Sequence, residues 1–484
     1  MQDTAYGTLL RQPRRALHAR IADTLEKQFP DIAEGQPDLL ARHCTEAGLI
    51  DKAAGLWGKA GLRSLKRSAL VEAIEQLRRA LGQIATLPGT PALRGEEIRF
   101  QVALLNPLMQ VKGAPETKTA AERALLLIEQ AEALGEPPKD PLLPFRALYG
   151  LWLTNVTAFN GDLAREGAAQ ILAIAEKQRD RDKGMLMLGH RCVAYVFGLT
   201  GNFVEARVHY DQAIAPLDDP VEHRPLVTRF AHELRFRSLI LWFLGYPEAG
   251  LAYTDQALKE ARETGPGPAS LMAAMDIACF NQLFSGNYAT AKALSDEQIA
   301  LAEEKGAIFW KTQGLLKRAN LLALTGNASG AVSMFTSLIP VYRSMGITVS
   351  LPWYLSLLAR ACGELGQFEE AWSYIREAIT AVETTKERWY EAEAHRIAGE
   401  IALMLPEPDA AKAEACFERA LAVARAQQAK SFELRAAMSM ARLWRDQGKR
   451  DEARELLAPV YGWFTEGFDT PDLKQAKALL DELA

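Results

Sequence analysis

The chain of 484 residues lacks most of the features that betray a function at first sight. Its five cysteines, Cys44, Cys192, Cys279, Cys362 and Cys416, are far apart and form no Cys-x-x-Cys pair, which argues against a zinc or disulfide framework. Isolated thiols among apolar neighbours fit a reducing compartment, so the expected location is the cytoplasm. Aromatic residues make up only 8%, while Ala, Leu, Glu and Arg dominate, a helix-forming palette that disfavours all-β folds. Lys and Arg number 56 against 61 Asp and Glu, a formal net charge of −5. Without a basic excess there is little to drive counter-ion release from a duplex, and nucleic acid is not an expected partner. Apolar runs such as Leu239–Leu244 and Leu355–Ala359 fall far short of the ~20 residues that span a bilayer, so no membrane partner is expected. Met1–Ile21 carries Arg11, Arg14, Arg15 and Arg20 but no apolar core of signal-peptide length.

Catalytic motifs are missing as well. A phosphate-cradling loop needs Gly-x-x-x-x-Gly-Lys-Ser/Thr, yet Gly58-Lys59 is followed by Ala60 and Gly448-Lys449 by Arg450. The Gly326–Gly330 segment places its Ser one residue late for a nucleophile elbow. None of the seven histidines pairs with another at i, i+4, and His43 beside Cys44 reads as ordinary packing rather than metal ligation. Carboxylate pairs such as Glu303-Glu304 lie on amphipathic helices, where solvated faces need charge. The expectation is a chain that is not an enzyme, with no catalytic residue, cofactor or metal.

What the sequence does contain is a period. Gly201-Asn202-Phe203-Val204-Glu205-Ala206, Gly286-Asn287-Tyr288-Ala289-Thr290-Ala291 and Gly366-Gln367-Phe368-Glu369-Glu370-Ala371 repeat one turn signal. Weaker copies follow Gly161, Gly245, Gly326 and Gly448. The small residues Ala206, Gly250, Ala291, Ala331, Ala371, Ala413 and Ala453 recur every 40 to 44 residues. Each unit holds two amphipathic runs, for example Met185–Thr200 then Phe203–Pro216, and Leu351–Leu365 then Phe368–Thr384. A Gly after the first run can take the left-handed conformation that ends a helix. The following aromatic can fill the elbow, and the small residue lets the second helix approach the first. One such hairpin cannot bury its own apolar face, so neighbours must stack.

The Gly-x-aromatic-x-x-Ala turn resembles that of the tetratricopeptide repeat family, although the usual unit of that family is ~34 residues. The period alone would suit HEAT or armadillo repeats equally, and the turn chemistry decides for the tetratricopeptide type. The resemblance implies an all-α fold: a right-handed superhelical solenoid of stacked antiparallel helix hairpins. Tyr6–Arg11, Leu17–Ala22, Pro37–Gly48, Leu49–Arg67 and Glu72–Leu81 are also similar to the C-terminal repeat region of bacterial adenylate/guanylate cyclase–ATPase signalling proteins of the STAND type. That second resemblance implies a regulatory part of such a protein, with both catalytic domains absent from this chain.

Three regions are expected: 1–36, a helical lead-in resembling the segment after an ATPase module; 37–91, the first helical hairpins, closed by Pro88-Gly89-Thr90-Pro91; and 92–484, the long-period array ending in a capping helix at Pro471–Leu483. In stacked hairpins the first helix of each unit lines the inner surface. The register then gives Asn155, Arg191, Tyr195, His232, Arg235, Trp242, Asp276, Phe280, Asn320, Trp353, Arg360 and Arg435 as candidate groove residues. Arginines among aromatics suit a protein or peptide segment of acidic character. The same aromatics are equally readable as core packing, with the arginines solvated. The function expected is a non-enzymatic interaction scaffold or sensor module, the alternative being the regulatory part of a cyclase or signalling ATPase.

Overall fold

The computed structural model describes residues 11–177, 182–214, 236–263 and 267–484. Among these residues there are 24 helices and no strand, so the all-α, tetratricopeptide-like expectation holds. The chain divides into two compact units: Met1–Leu151 with Lys305–Phe309, and Trp152–Glu304 with Trp310–Ala484.

The first unit holds α1 (Arg11–Gln28), α2 (Pro30–Gly35), α3 (Pro37–Ala47), α4 (Ile50–Lys66), α5 (Leu70–Ile84), α6 (Pro91–Val111), α7 (Ala114–Ala133) and the start of α8 (Leu142–Thr157). Small residues give α4 a flat face. A Cβ on Gly58 would meet the Phe100 ring at 2.0 Å, and one on Gly61 would meet Leu77 Cγ at 2.6 Å. Only glycine admits that approach, and Trp57, Leu77, Phe100 and Leu104 close the core around it. The 88–91 turn joins helices that share this core, and Thr90 caps α6 by accepting the Leu93 amide at 3.3 Å.

The second unit stacks hairpins around the remainder of α8: α9 (Gly161–Lys177), α10 (Lys183–Leu199), α11 (Phe203–Ile214), α12 (Arg237–Phe243), α13 (Pro247–Glu263), α14 (Pro268–Phe284), α15 (Tyr288–Glu304), α16 (Ile308–Leu324), α17 (Ala328–Ser344), α18 (Leu351–Glu364), α19 (Phe368–Thr385), α20 (Glu391–Met404), α21 (Ala410–Ala426), α22 (Lys430–Asp446), α23 (Arg450–Gly462) and α24 (Pro471–Leu483). The repeated turn works as its sequence implies. Gly286 and Gly366 take φ of 78° and 74°, and the amides of Asn287 and Gln367 reach back to Gln282 O and Cys362 O to close the helix ends. Ala206, Ala291, Ala331, Ala371, Ala413 and Ala453 are all buried where the second helix crosses the first. At Gly250 even a Cβ would lie 2.8 Å from Ser238 O. The turn aromatic is less uniform: Phe203 is fully buried, whereas Tyr288 and Phe368 are half-buried.

A second set of contacts makes the chain of this unit return on itself. The last carbonyls of an α-helix have no partner within it. Here Thr157 O, at the end of α8, accepts the amides of Thr348 and Val349 at 2.9 and 3.0 Å. Leu199 O, at the end of α10, accepts those of Arg388 and Trp389 at 2.9 and 3.1 Å. Trp242 O in α12 accepts Ser431 Oγ at 2.5 Å, and Phe284 O at the end of α14 accepts Arg435 Nη2 at 3.2 Å. Turn glycines permit the closest approaches, since a Cβ on Gly286 would sit 2.3 Å from Pro471.

Candidate functional site

The first helices of the hairpins face one another across the inside of this seam, and two kinds of side chain meet there. Toward α12 and α14 the space is filled by rings. Phe280 and Trp353 have centroids 4.3 Å apart, Trp242 and Phe284 4.8 Å, Phe243 and Phe432 5.3 Å, and Trp353 and Trp389 5.8 Å. Offset and edge-on pairs of this kind add to the area they bury. Beneath them lies a polar pair cut off from solvent: Lys317 Nζ is 2.9 Å from Asp276 Oδ1 and 3.9 Å from the centroid of the Phe280 ring. Tyr354 Oη contacts the same ammonium at 3.5 Å and hydrogen-bonds Gln313 Oε1 at 3.0 Å.

Toward the C-terminal hairpins the inner face opens into a cavity of about 270 Å³ between α14, α16, α18, α20, α22 and α24. Phe284, Leu324, Trp353, Leu357 and Ile397 line it together with Arg360, Arg396, Arg435 and Arg442 and the carboxylates Glu393, Glu400 and Asp472. Arg396 grips Glu393 with two hydrogen bonds, at 2.6 and 3.0 Å, and also bonds Glu400. Arg435 bonds Asp472 at 2.7 Å and Glu393 at 3.4 Å, and its guanidinium lies 4.9 Å from the centroid of the Trp242 ring. Burial alone would raise the Glu393 carboxyl, but these two guanidiniums hold it below the usual carboxylate value. Arg435 is held above the ordinary arginine value against the opposing effect of burial, by Asp472 and Glu393.

The other two arginines are differently placed. Arg360 meets Glu364 at 3.0 Å through Nε. Arg442 donates to the Gln475 amide oxygen at 3.1 Å, and among the described residues it forms no ion pair. Burial pulls Arg442 below the usual arginine value, and the Arg396 and Arg445 guanidiniums add to this, while Glu400 and Asp472 oppose it.

The sequence-derived candidates separate accordingly. Trp353, Arg360 and Arg435 come together at the cavity. Trp242 and Phe280 lie in the ring-filled interior, and Asp276 pairs with Lys317. Asn320 is wholly buried, with neither amide atom hydrogen-bonded. Arg191 is buried 5.9 Å from the centroid of the Trp152 ring, Tyr195 packs on Phe236 at 4.6 Å, and Asn155 is half-buried on α8. His232 and Arg235 lie outside the described residues. Arg396, Arg442, Glu393 and Glu400 escaped the sequence reading, although a second step of seven residues along the same face leads from Arg435 to Arg442 and from Glu393 to Glu400. Asp472 and Gln475 come from the last helix, outside the repeat, where no periodicity points to them.

Among the described residues no group of three or more His, Cys, Asp or Glu is placed to hold a metal ion. Nor is any helix among them long and apolar enough to cross a membrane. Burial pushes the thiols of Cys279 and Cys362 up to about 12 and about 11, away from nucleophilic reactivity.

No family model matches the chain, so the expected tie to cyclase–ATPase signalling proteins gains no support from that comparison. An uncharacterized protein of Rhizobium meliloti is 25% identical over 411 residues, which cover 82% of this chain. The matched region spans 38% of that relative's length. Among solved structures, a Rap protein complexed with Competence and Sporulation Factor is similar with a TM-score of 0.53 at 13% identity, over 80% of this chain and 100% of that one. The Cut9–Hcn1 hetero-tetramer of the APC/C is similar with a TM-score of 0.47 at 13% identity, over 99% of this chain and 98% of that one. The likeness to the Rap protein shows the fold, a tetratricopeptide-like stack of helix hairpins.

Proposed function

We propose that this chain is a non-enzymatic interaction module that receives a protein or peptide segment carrying an acidic group on the inner face of its second unit. The observation that supports this reading is the convergence of Trp353, Arg360 and Arg435 on one cavity, where Arg396 and Arg442 join them. Aromatic and arginine side chains at the centre of a concave surface are the usual source of binding energy in interfaces. The similar Rap protein, complexed with Competence and Sporulation Factor, provides a precedent for a bound partner on this fold.

The reading is tested by screening the whole chain against an array of short acidic, neutral and basic peptides, followed by fluorescence anisotropy on the hits. Acidic hits are expected to lose at least about tenfold in affinity to Arg360→Glu and Arg442→Glu, since reversing a charge at a recognition site costs ~2 kcal/mol or more. Hits that are predominantly basic, or that bind both variants as tightly as the parent chain, count against it.

A further inference from the structure

The cavity carries a more specific inference, which rests on its being the recognition site. Phe284 and Trp353 belong both to the cavity wall and to the ring-filled interior behind it, with centroids 5.6 Å apart. A ligand that reaches them meets packed aromatics and cannot continue along the inner face in that direction. At about 270 Å³ the space lies just below the usual range of small-ligand sites, which limits it to a compact group. Its lining is mixed, with the apolar side chains of Leu324 and Leu357 beside guanidiniums. Among the lining side chains four guanidiniums stand against three carboxylates, Glu393, Glu400 and Asp472. Those three carboxylates are taken up by Arg396 and Arg435. Arg442 is left with a neutral amide oxygen, and Arg360 with Glu364 at one of its five donors.

We propose that the cavity binds a single carboxylate carried on a compact apolar body that enters end-on, with Arg442 and Arg360 receiving the carboxylate and Phe284, Trp353, Leu324 and Leu357 enclosing the body. Arg442 is the primary partner, because its guanidinium bonds the neutral Gln475 oxygen while the nearby Glu400 and Asp472 carboxylates are bonded to Arg396 and Arg435. The planar guanidinium also matches a carboxylate in geometry, with two parallel hydrogen bonds. Such a group has two sources, a free organic acid or the end of a partner chain, and both present the same chemistry to the site.

Calorimetric titration of the whole chain separates them. The probes are 3-phenylpropionate, N-acetylphenylalanine, the neutral amide of each, and an acidic peptide blocked at both ends. One or both free acids are expected to bind saturably and their amides not to bind. Binding by the first acid alone assigns a free organic acid, and by the second alone a chain end. Arg442→Gln is expected to weaken binding about tenfold or more, the loss of a charge-assisted hydrogen bond, and Arg442→Lys to weaken it less. Circular dichroism of both variants verifies that they are folded, and Arg360→Gln provides an independent variant from a different helix. Equal binding of acid and amide, affinities unmoved by both arginine substitutions, or no heat from either acid overturns the proposal. If only the blocked peptide binds, and does so through Arg442, the end-on carboxylate is refuted while the partner-surface reading stands.

Discussion

Two stretches of the inner face in the second unit are built from the same register of first helices and end in opposite states. Across α12, α14 and α18 the inward positions carry Trp242, Phe280, Phe284 and Trp353, and the rings close the space. Across α20 and α22 the corresponding positions carry Glu393, Arg396, Arg435 and Arg442, and a cavity remains. The backbone period fixes which residues point inward, while residue type decides whether they become core. An aromatic ring gains free energy from every neighbour that excludes water. A guanidinium loses free energy on burial unless carboxylates and carbonyls replace its hydration; Arg396 and Arg435 have such partners, whereas Arg442 stays half-buried at the cavity.

Substitutions that exchange the character of the two stretches test this contrast, and the largest effects belong to the filled one. Trp353→Ala is expected to cost ~3–5 kcal/mol in urea unfolding, because it removes the ring that joins the Phe280, Phe284 and Trp389 contacts. Lys317→Met leaves Asp276 buried without its counter-ion and is expected to cost ~3–5 kcal/mol; adding Asp276→Leu is expected to recover most of that loss, since a buried pair is worth little against an apolar replacement. A double variant less stable than Lys317→Met alone would show that the pair itself is stabilising.

Glycine turns sharpen the comparison at a smaller scale. Gly366→Ala forces an Ala into left-handed backbone with nothing within 4 Å of its Cβ and is expected to cost ~1–2 kcal/mol. Gly286→Ala meets the same strain and in addition Pro471 at 2.3 Å, so its melting temperature is expected to fall further. Equal shifts would mean that the Pro471 contact yields freely.

The smallest effect concerns pH. Burial raises the Glu387 carboxyl to about 8, against the accepted hydrogen bonds from Trp389 Nε1 and the Ser350 amide, both at 2.7 Å. The folded chain therefore keeps a proton there that the unfolded chain releases near 4.5, so this residue's contribution to stability is full below that pH and is lost as pH rises toward 8. Glu387→Gln retains an oxygen to accept both bonds. Its melting temperature relative to the parent chain is expected to rise by a few degrees between pH 5 and pH 8, and a constant difference would remove the titration.

Much of the fold was legible because the turn writes its own chemistry. Gly286 and Gly366 need left-handed backbone, Ala291 and Ala371 need a close crossing, and both demands appear as residue identity at a fixed spacing. The register named twelve candidates, of which Arg360, Arg435 and Trp353 line the cavity. Whether an inward residue would face a cavity or a ring depends on what arrives from the opposite side of the seam. Trp353 meets Phe280 and Phe284 across 69 or more residues of chain, and Arg435 meets Asp472 from a helix outside the repeat. No local pattern encodes those encounters.

The carbonyls at the ends of α8, α10, α12 and α14 have a consequence for how the second unit folds. In an open stack each hairpin touches only its neighbours, and folding can begin anywhere and spread. Here Trp242 O in α12, which also accepts the Gly245 amide, takes a second bond from Ser431, 189 residues later. Contacts of such long range slow folding and bind distant segments into one cooperative transition. The early hairpins of this unit are therefore expected to stay incomplete until the final ones have been made, and a chain cut before α22 is expected to lose helix in α12 and α14 as well.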